Sequence, residues 1–195
     1  MLNLSTYSAL KKVEEVLGQA LVIVSFLMYY VPNSFLVEFS GCTASQNNTL
    51  GSCLEAIDGI TNGSPNYWYV NGLPAYAIFE LTEERKMNSL VLMSGRSTTA
   101  NYFRPTSFKV TVKVGGQWIQ LSGLQVKEDL TAQIENDGTV TLTSGINYLT
   151  LEFTTVTDVQ SIFLYVTETD PSPNSPSVSW YLRLREIIPG FIGKF

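Results

Sequence analysis

Histidine is absent from all 195 residues. Without it there is no Ser-His-Asp or Cys-His nucleophile pair, no imidazole general base and no histidine-ligated zinc or iron. Charge is sparse as well: charged residues are 15% of the chain against 45% hydrophobic, and 12 Lys and Arg face 17 Asp and Glu. A net charge of −5 leaves no basic face to neutralise a run of phosphates, so nucleic acid is not an expected partner. With only 2 cysteines the chain has no dense disulfide framework. Cys42 and Cys53 flank a polar stretch, and two readings stay open: a bridge contributing about 3 kcal/mol, or a pair of half-buried thiols. The hydrophobic and aromatic content excludes a disordered tail, and the length suits one domain with an appendage.

The longest apolar run, Ala20 to Val31, is ended by Pro32. It falls short of the roughly 20 residues that cross a bilayer. Before it, Ser5 or Thr6 caps an expected helix with Leu10, Val13 and Leu17 on one face, Lys11, Lys12, Glu14 and Glu15 on the other, and Gly18 at its end. Glu14 and Glu15 break the pattern of a secretory leader and no small-x-small cleavage site follows closely, so the run is expected to be retained and buried. If helix continues through Gly18, then Leu10, Val13, Leu17, Ala20, Val24, Leu27 and Val31 form a heptad seam, as in a self-associating stem. The alternative is a segment packed on its own domain. Residues 1–35 are therefore read as an attachment or oligomerisation segment, whose residues 1–33 contact a second copy or other proteins of an assembly.

From Phe35 onward the hydrophobic period is two. Phe108, Val110, Val112 and Val114 alternate with Ser107, Lys109, Thr111 and Lys113, and Leu149, Leu151 and Phe153 alternate with Tyr148, Thr150 and Glu152. Further strands are expected at 35–39, 76–81, 89–94, 117–121, 139–143, 162–167 and 180–188, with hairpin turns at Gly115-Gly116 and Asp137-Gly138. Thr82 to Lys86 reads as a charged turn, and the proline-rich stretch 169–179 as a stiff exposed loop. About nine or ten short strands without a convincing helix predict an all-β antiparallel sandwich or jelly roll. Trp68, Phe108, Val110, Val112, Trp118, Leu149, Leu151, Phe153, Ile162, Leu164 and Leu182 are its expected core.

Several segments then follow one another in a familiar order. AIDGITNGSPNYW (56–68) places an Asp-Gly turn before a tryptophan, LPAYAIFEL (73–81) is a Pro-x-aromatic strand, residues 89–121 hold a Gly-Arg loop and a Trp hairpin, and WYLRLREIIPG (180–190) closes with Arg-x-x-Glu-Ile. In this order they resemble a discoidin (coagulation factor 5/8 type C) domain over about residues 36–190. The cysteines are not placed to join the domain's two ends, as in many animal members, and the segment between Gly59 and Trp68 is longer than usual. The resemblance implies a galactose-binding-like jelly roll at 36–190, followed by a tail at 191–195, and a binding module for glycans, lipid head groups or proteins, without catalysis. The fold alone does not name the ligand.

In domains of this kind the Asp-Gly turn and the closing-strand glutamate meet around a structural Ca²⁺, which maps to Asp58 and Glu186. Oxygens near Glu55, Thr61 and Ser64 would complete the shell of a hard cation. Against this stands Asp58 capping its own turn and Glu186 pairing with Arg183 or Arg185. For a glycan, Tyr67, Tyr69, Asn71, Arg96, Asn101, Tyr102 and Arg104 combine flat rings, which stack on pyranose faces, with planar groups that address hydroxyls. The competing reading has Arg96 and Arg104 tying loops together. Membrane binding is disfavoured, since Phe103 beside Arg104 is the one apolar and basic pair comparable to lipid-binding spikes and the net charge opposes anionic lipid. Glu83 and Glu84 sit side by side in a charged stretch, not as carboxyls facing across a glycosidase cleft.

Two function classes follow. One is a non-enzymatic structural or adhesion protein of a virion, of the phage tail fibre, baseplate or head decoration type, showing a module for host-surface glycan. The other is a secreted or cell-surface lectin, located outside the cell.

Overall fold

The computed structural model describes residues 39–47, 51–59, 67–94, 103–171 and 181–191. The attachment segment expected at 1–35 lies outside them, as do residues 192–195 of the tail expected at 191–195. The described chain runs β1 (Phe39–Ala44), a 3₁₀ turn (Cys53–Ala56), β2 (Trp68–Val70), β3 (Ala75–Ser94), β4 (Pro105–Val114), β5 (Gln117–Gln120), β6 (Gln125–Val126), β7 (Gln133–Ile134), β8 (Thr139–Thr141), β9 (Tyr148–Thr169) and β10 (Leu182–Gly190). Among the described residues there is no α-helix, and the strand pairs are antiparallel. The hydrogen-bonded order is β2-β10-β3-β9-β4-β8-β7, with β1 beside β3, β5 beside β4 and β6 beside β9.

Two strands carry this arrangement. β3 has 20 residues and β9 has 22, and they pair from Ala75 opposite Val166 to Met93 opposite Tyr148. The register shifts between Glu80 and Ser89. Before the shifts β3 has β1 on its other edge, and after them it has β10. In the same way β9 pairs with β6 near its start and with β4 in its second half. Each strand thus bends from one layer of the sandwich into the other, as strands do at bulges where sheets turn a corner.

This corrects the expected segmentation. Residues 76–81 and 89–94 are one strand, and so are 149–153 and 162–167. The charged stretch from Thr82 to Lys86 is not a turn; it is the bend of β3, where Thr82 to Glu84 are exposed. Polar residues suit that place because neither face of the bend is covered. Glu83 there pairs with Arg85 at 2.5 Å, and Glu84 accepts a hydrogen bond from Gln160 of β9 at 2.8 Å.

Local turn chemistry matches its expected places. Gly115 and Gly116 link β4 to β5 with φ of 54° and 81°, a left-handed pair that glycine adopts without a Cβ penalty. Asp137-Gly138 turns β7 into β8, and Asp137 Oδ1 accepts the Thr139 amide at 2.9 Å.

The core contains Trp68, Phe79, Phe108, Val110, Val112, Leu149, Leu151, Phe153, Ile162, Leu164, Val166, Leu182 and Leu184, all buried. Trp118 is a correction: it is 43% exposed, on a four-residue edge strand with no buried position. A strand that short at the rim of a sheet has no opposing layer to bury a ring against. Of the two cysteine readings, the bridge is present. Cys42 on β1 and Cys53 in the 3₁₀ turn form a disulfide across a Cα separation of 5.9 Å.

Phe108→Ala should destabilise the domain by about 3–5 kcal/mol in chemical denaturation, as a large buried ring does. Trp118→Ala should stay within about 1 kcal/mol. A double Cys42→Ala, Cys53→Ala variant should lose about 2–4 kcal/mol by the same measurement. Equal losses for Phe108 and Trp118 would contradict the layering.

Candidate functional site

Polar chemistry collects where β2, β10 and the ends of β4 and β9 meet. β2 is held by β10, with Val70 opposite Leu182 and Trp68 opposite Leu184. The Tyr69 amide donates to the Gly51 carbonyl at 3.4 Å, and a Cβ on Gly51 would fall 1.9 Å from the Tyr67 carbonyl oxygen, so only glycine permits this approach. Trp68 Nε1 donates to the Gln46 carbonyl at 3.0 Å, while Gln46 Nε2 donates to the Gly72 carbonyl at 3.2 Å. The strand that carries Tyr67 and Tyr69 is therefore fixed from both sides.

Those two tyrosines close on Arg183 of β10. The guanidinium carbon lies 5.4 Å from the Tyr67 ring, 5.4 Å from Tyr69 and 5.1 Å from Phe103. Tyr181 stacks on Tyr69 at 5.5 Å and meets Phe103 edge-on at 5.2 Å. Nε and Nη1 of Arg183 are buried among these rings, an arrangement of cation–π type. Burial raises the Tyr69 hydroxyl above its ordinary range, and the charge and hydrogen bond of Arg183 oppose that rise. The rings of Tyr67, Tyr69 and Phe103 are buried, so Phe103 is not an exposed membrane spike.

Beside this cage Arg104 grips Asp170 just past the end of β9. Nε donates to Asp170 Oδ2 at 2.8 Å, the Arg104 amide donates to Oδ1 at 2.5 Å, and Asn147 Oδ1 accepts from Nη1 at 3.5 Å. The Phe103 amide donates to the Asp170 carbonyl at 3.1 Å and the Arg183 amide to the Phe103 carbonyl at 3.1 Å, so three chain segments are laced together. Arg104 works here as a loop tie. Asn71 follows β2 and is exposed at the same end, near Tyr181 by register. Arg96, Asn101 and Tyr102 lie outside the described residues.

Farther along β10 is a buried carboxylate. Between Leu184 and Glu186 the register with β3 shifts, and the extra residue puts Glu186 on the same side as Arg183, where unbroken alternation would send it to the other. Glu186 is 5% exposed. Burial first, and the neighbouring Asp58 carboxylate second, raise its pKa to about 7, against the opposing effect of the Gly59 amide donating to it. Oε2 is buried without a hydrogen-bond partner. Glu55, in the 3₁₀ turn, accepts the Tyr67 amide at 3.3 Å, and Thr61 and Ser64 lie outside the described residues. Among the described residues no group of three His, Cys, Asp or Glu side chains forms a metal cluster. Asp58 and Glu186 are thus a carboxylate pair that a hard cation fits, if main-chain oxygens complete its shell.

Arg183, Tyr181 and Asp170 were missing from the residues singled out for a site. Tyr181 and Arg183 share a face of β10 by alternation, which is the signal that could have joined them. No local signal marks Asp170 as the partner of Arg104.

No family model matches the chain, and no curated protein matches it. Solved structures do match in fold. A pectin-binding carbohydrate-binding module aligns with TM-score 0.53 and 19% identity over 82% of this chain and 95% of its own. The family 32 module of NanJ from Clostridium perfringens, in complex with galactose, aligns with TM-score 0.55 and 14% identity over 79% of this chain and 94% of its own. A third, from a family 31 glycoside hydrolase of Clostridium perfringens, gives TM-score 0.56 and 14% identity over 80% and 93%. The fold is that of family 32 carbohydrate-binding modules, the discoidin-like galactose-binding sandwich.

With chelator present, stability should fall as pH rises from about 4.5 toward 7. The sign follows from the raised folded-state pKa of Glu186: in that window the folded state binds the proton that the unfolded chain has released. The full loss is about 3 kcal/mol at most. Glu186→Gln should flatten the profile in urea titrations at a series of pH values, and an unchanged slope would place the dependence elsewhere.

Proposed function

We propose that this chain is a non-catalytic glycan-binding module and that it serves as the adhesion or decoration domain of an assembled particle such as a virion. The observation that carries the first part is the likeness of its sandwich, across about four fifths of the chain, to modules solved with galactose and other sugars. The glycan is taken at the end of the sandwich, over the floor made by the Arg183 cage and the Arg104–Asp170 tie, with Asn71 at its edge. The paired glutamates Glu83 and Glu84 are engaged by Arg85 and Gln160 on the outer bend of β3, which supports a module without hydrolytic machinery.

Support for the particle comes from sequence alone. Left in water, side chains as apolar as those of Leu21 to Val31 would favour aggregation over a free monomer, at roughly 1.5–3 kcal/mol for each large side chain buried, so residues 1–33 attach the module to copies of itself or to another component. A secreted or cell-surface lectin is the alternative, and the same glycan site serves both. The reading also includes a structural calcium ion held by Asp58 and Glu186, supported by the orphaned Glu186 Oε2 beside a second carboxylate. Bound there, calcium would neutralise the carboxylate pair and fix the 3₁₀ turn to β10.

The full chain on a glycan array, followed by calorimetry with the best ligand, tests binding. Asn71→Ala should weaken that ligand without moving the melting temperature, and an array with no ligand would end the glycan reading. Millimolar calcium should raise the melting temperature, by linkage to the folded state, and Glu186→Gln should abolish the rise. No rise in the unmutated chain would leave Asp58 and Glu186 a structural role only. Deleting residues 1–33 should leave a folded β domain that no longer assembles; unfolding on deletion would place the segment in the domain's own core.

A further inference from the structure

The outer face of the layer formed by β1, β3, β9, β4 and β5 carries a row of aromatic rings that the sandwich does not use for its core. On β9, Phe163 and Tyr165 point away from the buried Ile162, Leu164 and Val166. Register sets Tyr76 of β3 opposite Tyr165, and Thr111 and Lys109 of β4 opposite Phe163 and Tyr165. Trp118 of β5 lies opposite Lys113. The rings touch in sequence across the strands: Trp118 to Phe163 at 5.7 Å and Phe163 to Tyr76 at 5.6 Å, with Tyr165 parallel to Phe163 within 9°. Trp118 and Tyr76 are exposed at the two ends of this track.

We propose that this face is a second glycan-binding surface, distinct from the end of the sandwich, and that its occupant is an extended polysaccharide bearing uronate carboxylates. Consecutive ring separations are comparable to one pyranose unit, so a single chain laid across the strands places successive sugar faces on Trp118, Phe163 and Tyr76. The tilts of 57° and 32° along the track suit a glycan that twists as it runs. Between the rings stand hydrogen-bonding and charged groups, Thr111, Lys109 and Lys113. A protein interface core is depleted of lysine, which argues against a second copy as the occupant. Charge selects the sugar. Lys113 Nζ lies 6.0 Å from the Trp118 ring centroid, and among the described residues no carboxylate pairs with it. Lys109 adds a second cation on the same strand face, shared with Asp137 at 3.4 Å. Of the carboxylates at this face, Asp137 is engaged by Lys109 and Glu80 is across the sheet on β3, opposite Ser161, so an anionic group of the glycan is met by Lys113 at the β4–β5 edge.

Calorimetry of the full chain with polygalacturonate, and separately with galactose, tests this. Trp118→Ala should weaken polygalacturonate roughly tenfold while galactose binding is unchanged, and Trp118→Phe should recover part of the affinity. Lys113→Gln should weaken the polymer about threefold and reduce the salt dependence of its binding. The exposed position of Trp118 keeps these variants folded, which circular dichroism checks. A full chain that does not bind polygalacturonate, or a Trp118→Ala chain that binds it at full strength, overturns the proposal. So does a variant that changes only the particle mass in light scattering, because that assigns the face to contacts between copies. The end of the sandwich fails separately: a chain that ignores galactose but loses the polymer with Trp118 refutes the first site and supports this one.

Discussion

The antiparallel pairing of β3 with β9 is the constraint on which the other elements depend. Both strands continue through the polar bend, so every other described strand except β2, β5, β7 and β8 finds an edge of one or the other to bond. A shorter pair would leave two separate sheets with their edges to be covered independently. Because the bend is polar on both faces, its stability must come from the apolar halves on either side, where Phe79, Leu164 and Leu151 alternate inward. This also fixes where function can sit. The sheet faces are set by strict alternation, while the ends of the sandwich are free to vary in their connections.

At one end the molecule buries charges that the rest of the core excludes. Arg104 and Asp170 are half-buried and satisfy one another directly, so removing one partner leaves the other's charge without its counter-ion. Arg183 is accommodated differently, by ring faces. Glu186 has neither solution for its Oε2 and holds its proton toward neutral pH instead. Four ionisable groups brought together from three chain segments, each accommodated in its own way, are costly to maintain for packing alone, and perturbed groups of this sort gather at functional ends.

How much of this the sequence discloses depends on range. The alternation of Phe108, Val110 and Val112 and the Gly115-Gly116 turn are local, and each is found at its expected residues. The continuity of β3 is not local, because Thr82 to Lys86 has turn-like composition and becomes strand only through its pairing partner. Trp118 has the pattern of a core residue, since a large ring in an alternating strand usually faces inward, yet β5 has no layer above it. Arg104 offered two readings, sugar contact or loop tie, and the choice rested on an aspartate 66 residues away. The Cys42–Cys53 bridge was likewise undecidable until β1 and the 3₁₀ turn were brought together.

The misread tryptophan leads to a physical distinction between the two surfaces. At the end of the sandwich the rings of Tyr67, Tyr69 and Phe103 are buried and engaged with a guanidinium, so they shape a floor more than they offer faces to a ligand. On the outer sheet face the order is reversed: Trp118 and Tyr76 are open to solvent, and the polar groups stand between the rings. A pocket at loop ends suits recognition of one sugar by directed hydrogen bonds. A ring track on a rigid sheet suits a longer chain, bound by stacking that adds with each unit engaged. On the proposed reading, a module carrying both would take a terminal sugar and a polymer backbone by separate means, the second adding contact area with each unit engaged.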